Sequence, residues 1–433
     1  MDTLQQNIRE ILMNSVSGVH GIMYGPKIKN GQMTNEQSIV YLVEKKLPLN
    51  QIPANEIIPS KINIQNNEYS TDVVQSPKFE LVQCYNFDDP KVQYLQSYNR
   101  PLQGGMSISN LDSWTQLSPS RFSYSVGTLG FLAIDNYDDT LVGVTNNHVI
   151  IKDAFLNSEK NSLGISNSII DPIVFSSSQG GLNATFNPTV LQFDELGNKP
   201  VNFVTDSIGF AKRYVPISEN GYNSVDGALI SINQGNTDFS SAQQAELYNS
   251  YAMPFATTNE ILSLQPDNIQ LYSVGRTTGP KGPDCPLVAY NIGSFIVSYN
   301  RQGVKVPIIM SDIIAYHFID LSELPIFSGD SGSALIGNFS GTYKIVGLAF
   351  AGNTSTDAYN NPHSTFGLAC RIDNVAQQLN ISSWDGSPIA FTQSNQLSKI
   401  YRPYNDNRIT IEYNGKTYYQ AGTVKTNQDI TNI

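Results

Sequence analysis

From about residue 101 the chain becomes a series of short β-prone runs closed off by Gly, Asn, Asp or Pro. Examples are Thr128–Ile134, Leu141–Val144, Ala228–Ile232 and Phe295–Tyr299. This pattern leaves few folds open. Repeated short strands with turn signals between them build a sandwich or a pair of barrels, because each strand buries one face and must pair along both edges. The reading is a mainly β fold, a sandwich or a barrel pair, with a small α+β domain before it and a hairpin tail after it.

Composition narrows the function. A chain of 433 residues with 40% hydrophobic residues can bury real cores. Only 15% of residues are charged, and the formal net charge is −11. Nucleic acid is therefore not an expected partner, since phosphate binding needs clustered Lys and Arg. No apolar run is long enough to cross a bilayer, so no membrane partner is expected. Met1–Asn7 lacks a basic stretch followed by an apolar one, so no secretory signal is read and a cytoplasmic location is expected. Cys84, Cys285 and Cys370 are few, odd in number and far apart, which fits a reducing compartment rather than a disulfide framework.

The chain divides into three expected units: 1–85, 86–385 and 386–433. In the first, Leu4, Ile8, Ile11 and Leu12 recur at helical spacing over 2–16. Strand-like runs follow at Gly21–Gly25 and Ser38–Val43, with a Lys29-Asn30-Gly31 turn signal between them. Residues 86–100 read as a linker, and 155–220 as polar insertion loops. Asp373 is the expected N-cap of a short closing helix carrying Val375 and Leu379. The polar tail holds a hairpin pattern, Ile409–Tyr413, then Asn414-Gly415, then Lys416–Gln420.

Chemistry concentrates at Ser328-Gly329-Asp330-Ser331-Gly332-Ser333. Small residues at a sharp corner expose one hydroxyl, Ser331, between backbone N–H groups, as acyl transfer requires. The bland alternative is a Gly/Ser hairpin turn. It weakens because the chain also supplies a base and an acid. His148 sits within Val144–Ile150, at the end of an apolar strand, and Asp226 lies within Val225–Ile230, where it opens an apolar strand. An acid in that position is costly if buried unpaired, and an imidazole N–H would explain it. Asp153, Asp171 and Asp206 are rivals that open no such run. His20, His317 and His363 read as packing or surface residues. No Cys/His set has zinc spacing, and Asp135, Asp138 and Asp139 read as a solvated hairpin tip rather than a Ca²⁺ loop. Gly279-x-x-Gly282 is too poor for a phosphate loop, and Cys285 reads as a structural thiol. No metal or cofactor is expected.

Thr145-Asn146-Asn147-His148, Val225-Asp226-Gly227-Ala228 and Gly329-Asp330-Ser331-Gly332-Ser333 resemble the three signatures of chymotrypsin/trypsin-like serine peptidases. Gly275-Arg276-Thr277-Thr278-Gly279 is similar to a motif of the bacterial branch. Gly25–Lys29, Val43–Pro48, Thr71–Val74, Arg100–Gly105 and Gly347–Gly352 resemble the narrow-leaf-type peptidases of plants and their bacterial relatives. The resemblance spans roughly residues 18–380. It implies two packed antiparallel β-barrels with the site between them, Ser331 as nucleophile, His148 as general base and acid, Asp226 as the orienting acid, and the N–H groups of Gly329 and Ser331 as the oxyanion hole. It also implies an Arg276–Asp330 ion pair that orders the loop without processing. The pocket floor falls on Pro325, so a preference for Arg or Lys is not expected. Phe350, Ala351 and Gly352 would line a wall, with Gly352 leaving it open to an apolar or small residue.

The expected function is a serine endopeptidase acting on a protein or peptide. The competing functions are a silent binding or virion-associated scaffold on the same fold, a peptidase held off by a regulatory partner at the N-terminal domain, and an esterase. Homo-oligomerisation is compatible with the resemblance.

Overall fold

The computed structural model describes residues 3–15, 17–29, 32–81, 95–96, 102, 104–110, 115–118, 121–123, 125–151, 174–178, 181–185, 189–191, 207–232, 253–264, 269–281, 287–301, 304–318, 325–353, 365–384, 410–413 and 416–419.

The chain opens with helix α1 (Thr3–Met13). Its apolar face buries Ile8 and Leu12 against Ile22, Ile39 and Tyr41 of the strands that follow, β1 (Val19–Lys29) and β2 (Gln32–Val43). Their register places Lys29 opposite Gln32. Asn30 and Gly31, the expected turn, lie outside the described residues. Next come β3 (Lys61–Ile64), β4 (Asn67–Gln75) and β5 (Phe79–Glu80).

The middle of the chain supplies β6 (Ser107–Asn110), a small hairpin of β7 (Thr115–Ser118) and β8 (Arg121–Ser123), then β9 (Gly127–Thr128), β10 (Phe131–Asp135) and β11 (Thr140–Thr145). The one-turn helix α2 (Asn147–Ile150) follows. After it come a second hairpin, β12 (Val174–Ser178) with β13 (Gly181–Thr185), and the strands β14 (Thr189–Leu191), β15 (Ser207–Tyr214) and β16 (Ala228–Ile232). Apart from the two hairpins, these strands and β24 (Ile381–Ser383) form an eight-stranded sheet ordered β24-β10-β11-β16-β15-β14-β6-β9. β9, at one end, runs through Leu129 and Gly130 into β10, next to the other end; the Leu129 N–H donates to the Met106 carbonyl and the Gly130 N–H to the Val144 carbonyl, so the sheet closes on itself.

A second barrel follows helix α3 (Thr258–Leu262). Its strands are β17 (Gln270–Gly275), β18 (Gly279–Lys281), β19 (Leu287–Arg301), β20 (Val304–Phe318), β21 (Ala334–Phe339), β22 (Thr342–Asn353) and β23 (Gly367–Arg371). The order β17-β21-β22-β23-β20-β19 closes through a β17–β19 pairing. Helix α4 (Ile372–Leu379) then packs Ile372, Val375 and Leu379 into the core. The N-terminal strands extend this same sheet: β1 pairs with β19, Gly21 opposite Phe295. A tail hairpin, β25 (Thr410–Tyr413) with β26 (Lys416–Tyr419), has Tyr413 opposite Lys416.

Three expectations about the elements are corrected. Arg371, not Asp373, is the N-cap residue of α4; Asp373 sits in the first turn, where it pairs with Arg371 at 2.6 Å. The 155–220 region is not all loop: β15 lies at the centre of the first barrel, between β14 and β16. Its polar look comes from Lys212 and Arg213, which are buried and paired. Lys212 meets Asp135 and Asp138 at 2.7 Å each, and Arg213 meets Asp135 at 2.7 Å. The Asp135 and Asp138 carboxylates are therefore buried ion-pair partners and not a solvated tip. Among the described residues, no helix is long and apolar enough to cross a membrane.

Candidate active site

Both Asp226 and His148 belong to the first barrel. β11 ends at Thr145, and the chain turns into α2 with His148 in it. The side chains that hold this turn are the asparagines. Asn146 Nδ2 donates to the Asp226 carbonyl at 2.6 Å, and Asn147 Nδ2 donates to the Val215 carbonyl at 2.7 Å. Asp226 is fully buried and sits just before β16. Its Oδ1 accepts from the backbone N–H of Asn147 at 2.8 Å and of His148 at 3.4 Å. Its Oδ2 lies 2.7 Å from His148 Nδ1. The buried carboxylate thus has the partners that its burial demands.

Sequence reasoning missed one partner. Tyr299 of β19 is buried and donates its hydroxyl to the same Oδ2 at 2.8 Å. Its ring stands edge-on to the His148 ring, 6.4 Å between centroids at 87°. Burial, with the Asp226 charge beside it, pushes the phenol pKa well above 10, so Tyr299 remains a donor. Nothing in the sequence marks this tyrosine among 23. The backbone N–H of Asp226 donates to the Cys370 thiol at 3.2 Å. That thiol is buried, and burial together with Asp226 raises its pKa, which keeps it protonated.

Ser331 lies in the second barrel, in the corner leading to β21. Every carbonyl from Ser328 to Ser331 is engaged. Thr277 Oγ1 donates to Ser328, Thr128 Oγ1 to Gly329 at 2.7 Å, the Ser333 N–H to Asp330 at 2.9 Å, and the Thr128 N–H to Ser331 at 2.8 Å. The N–H groups of Gly329 and Ser331, by contrast, make no hydrogen bond among the described residues. Carbonyls tied back and two N–H groups left unspent is the arrangement an oxyanion site needs. Glycine is required twice. Gly329 has φ +89°, and a Cβ there would sit 2.5 Å from Thr277 Oγ1; Gly332 has φ +95°, and its Cβ would sit 2.2 Å from the Thr128 carbonyl.

The two halves meet closely. A Cβ on Gly127 would lie 2.5 Å from Val149, the residue after His148, and 3.1 Å from the Ser331 carbonyl. Ser331 is not exposed as expected, however. It is 5% accessible, and its hydroxyl donates to the Phe350 carbonyl at 3.3 Å. No hydrogen bond joins it to His148 among the described contacts. The side chain has turned to the nearest carbonyl on β22.

The expected Arg276–Asp330 ion pair is not made. Asp330 is buried and accepts three backbone N–H groups: Thr277 at 2.9 Å and Thr278 at 3.0 Å on Oδ1, and Phe327 at 3.0 Å on Oδ2. The Gly-Arg-Thr-Thr turn orders the loop through its backbone. Gly275 has no side chain because Asp330 Oδ1 would lie 2.1 Å from a Cβ there. The Arg276 guanidinium instead donates to Thr277 Oγ1 at 3.0 Å.

In the expected pocket, Pro325, Phe350 and Ala351 are all buried. Gly352 does not leave the wall open: Ile326 fills the space, and its Cγ2 would lie 2.3 Å from a Cβ on Gly352. His20 and His317 are packing residues as expected, and burial lowers the pKa of each to about 4. Cys84, Cys285, His363, Asp153, Asp171 and Asp206 lie outside the described residues. No group of acids, histidines and cysteines among the described residues is arranged to hold a metal ion.

No family model matches the chain, and no curated protein does. Among solved structures, one similar chain is a glutamic-acid-specific serine protease that uses a histidine triad in substrate binding. It is 11% identical, with 65% of this chain and 100% of that one covered, at a TM-score of 0.35. Another is Thermobifida fusca protease A, 9% identical, covering 66% and 99%, at a TM-score of 0.31. Likeness at this level carries no argument about chemistry, which rests on the geometry above.

Proposed function

We propose that the protein is a serine endopeptidase. The observation that supports this is the contact of half-buried His148 with buried Asp226, together with a serine corner whose carbonyls are all engaged and whose Gly329 and Ser331 N–H groups are not, among the described residues. In this reading Ser331 Oγ rotates from the Phe350 carbonyl to His148 Nε2, a move between staggered side-chain wells. It then attacks the scissile carbonyl. His148 takes the proton and passes it to the leaving amine. Asp226 holds the imidazole tautomer and stabilises the imidazolium. Gly329 and Ser331 N–H groups receive the oxyanion, each worth roughly 10²–10³ in kcat. The substrate is a peptide or protein, and no step calls for a metal or cofactor.

A second reading has one observation in its favour. Ser331 is buried and turned away from His148, as in a silent member of such a fold. A fluorophosphonate probe separates the two. Labelling of the wild type that is lost in Ser331→Ala supports the peptidase. Absence of labelling on folded wild type supports a scaffold.

A further inference from the structure

The edge of β22 next to Ser331 is the surface on which a peptide presenting its carbonyl to that serine must lie. β22 pairs with β23 on one edge as far as Gly352. On the other edge β21 ends opposite Leu348, where the chain becomes the Ser331 corner. Gly332 and Ser333 continue the pairing to Ala349. Phe350 and Ala351 come next. Then the edge is taken again, by β5: Glu80 stands opposite Gly352, and Phe79 opposite Asn353. Since Gly352 pairs with Gly367 on the β23 side, β5 must be on the Ser331 side.

β5 also shows which polarity this edge accepts. It runs antiparallel to β22, so its C-terminal direction points toward Ser331. A peptide in that polarity pairs its acyl-side residues with β22 by strand addition.

β5 is anchored as a permanent part of the fold. Phe79 is fully buried, edge-on to Phe295 at 5.3 Å and tilted against His20 at 5.7 Å. The strand pairs in parallel with β19 at Val297 and Ser298. Asn353 Nδ2 ties the preceding turn by donating to Ser76 Oγ at 3.2 Å and to the Pro77 carbonyl at 2.7 Å. Lys305 holds Glu80 at 2.6 Å from outside.

Resting on the peptidase reading, we infer that β5 is a built-in limit on substrate length. It occupies the part of the β22 edge that the third and fourth residues before the scissile bond would use. Among the described residues no strand pairs with this edge at Phe350 and Ala351, a span of about two paired residues at ~3.3 Å each. The specificity of this protein therefore resides in the two residues before the scissile bond, and longer peptides turn off the edge at β5.

The test is a series of peptide anilides with one to five residues on the acyl side, given to the wild-type full chain. The expected kcat/KM rises from one residue to two and then stays within about twofold. An open edge would add roughly fivefold for each further backbone hydrogen bond. In parallel, hydrogen exchange at the Phe79 and Glu80 amides is followed with a tetrapeptide boronate bound. Unchanged protection is expected. A tenfold or larger gain at the third or fourth residue, or loss of protection at Phe79 and Glu80, overturns the length limit while leaving the peptidase intact. If no length is turned over and the fluorophosphonate fails to label Ser331, the peptidase reading falls and this inference falls with it.

Discussion

Tyr299 on β19 and His148 in α2 bind the same oxygen of Asp226, at 2.8 and 2.7 Å, from different barrels. The second barrel thus reaches across to set the acid of the first. A carboxylate that shares its charge with a phenol holds an imidazolium less tightly than one that does not.

Tyr299→Phe keeps the ring and removes only that donor. Asp226 then loses one of the partners that fix its position. The plateau of kcat/KM is expected to fall by about tenfold, the order of one hydrogen bond to a charged group. Steady-state kinetics of the variant check this. An unchanged kcat/KM would assign Tyr299 to packing alone.

Asp330→Asn leaves one acceptor oxygen where the carboxylate had two, and it points an amide N–H at a backbone N–H. At least one of the three donors at Thr277, Thr278 and Phe327 then loses its partner in a buried site. A loss of about 2 kcal/mol is expected in urea unfolding. Fluorophosphonate labelling should slow by more than tenfold, because the corner that aims the Gly329 and Ser331 N–H groups loosens.

The acid network of the first barrel gives a stability prediction. Burial alone would raise the Asp135 pKa, but Lys212 and Arg213 outweigh it and hold the group below 3.8. Asp135→Asn leaves buried Arg213 without its carboxylate and Lys212 with Asp138 alone, and should cost about 3 kcal/mol. A joint Asp135→Leu, Asp138→Asn, Lys212→Met, Arg213→Met variant removes the four charges together and should recover much of that loss in calorimetry.

Stability should fall on mild acidification. Burial lowers the pKa of His20 and of His317 from 6.5 to about 4. Between those values the unfolded chain binds protons that the folded one refuses. The stabilising effect of each neutral histidine is whole above pH 6.5 and shrinks as pH drops to about 4, by on the order of 3 kcal/mol apiece. Asp135, with its pKa held below 3.8, loses its share only at lower pH. Urea midpoints taken from pH 7.5 to 4 test the slope, and a His20→Phe/His317→Phe variant that still folds should flatten it.

Local pattern carried a good deal of this. Alternating apolar runs and turn residues marked β10, β11, β16 and β19, because strand faces and tight turns are written in neighbouring residues. The helical spacing of Leu4, Ile8, Ile11 and Leu12 marked α1 for the same reason. Short motifs singled out His148, Asp226 and Ser331; the structure brings the first two into contact and turns the Ser331 hydroxyl to the Phe350 carbonyl.

What only the tertiary structure decided lies between residues far apart in the chain. Tyr299 meets Asp226 across 73 positions. Asp330 rests on the backbone of Thr277 and Thr278 and not on the Arg276 side chain. Ile326 fills the space that Gly352 vacates, and β5 takes the end of the β22 edge. Each depends on the register in which remote strands pair, and one residue of slip would turn Tyr299 or Phe79 to the opposite face. The sequence by itself determined which residues could do the chemistry. Barrel closure, and pairing between strands hundreds of residues apart such as β1 with β19 and β5 with β22, decided what holds those residues in place and which part of the β22 edge is taken.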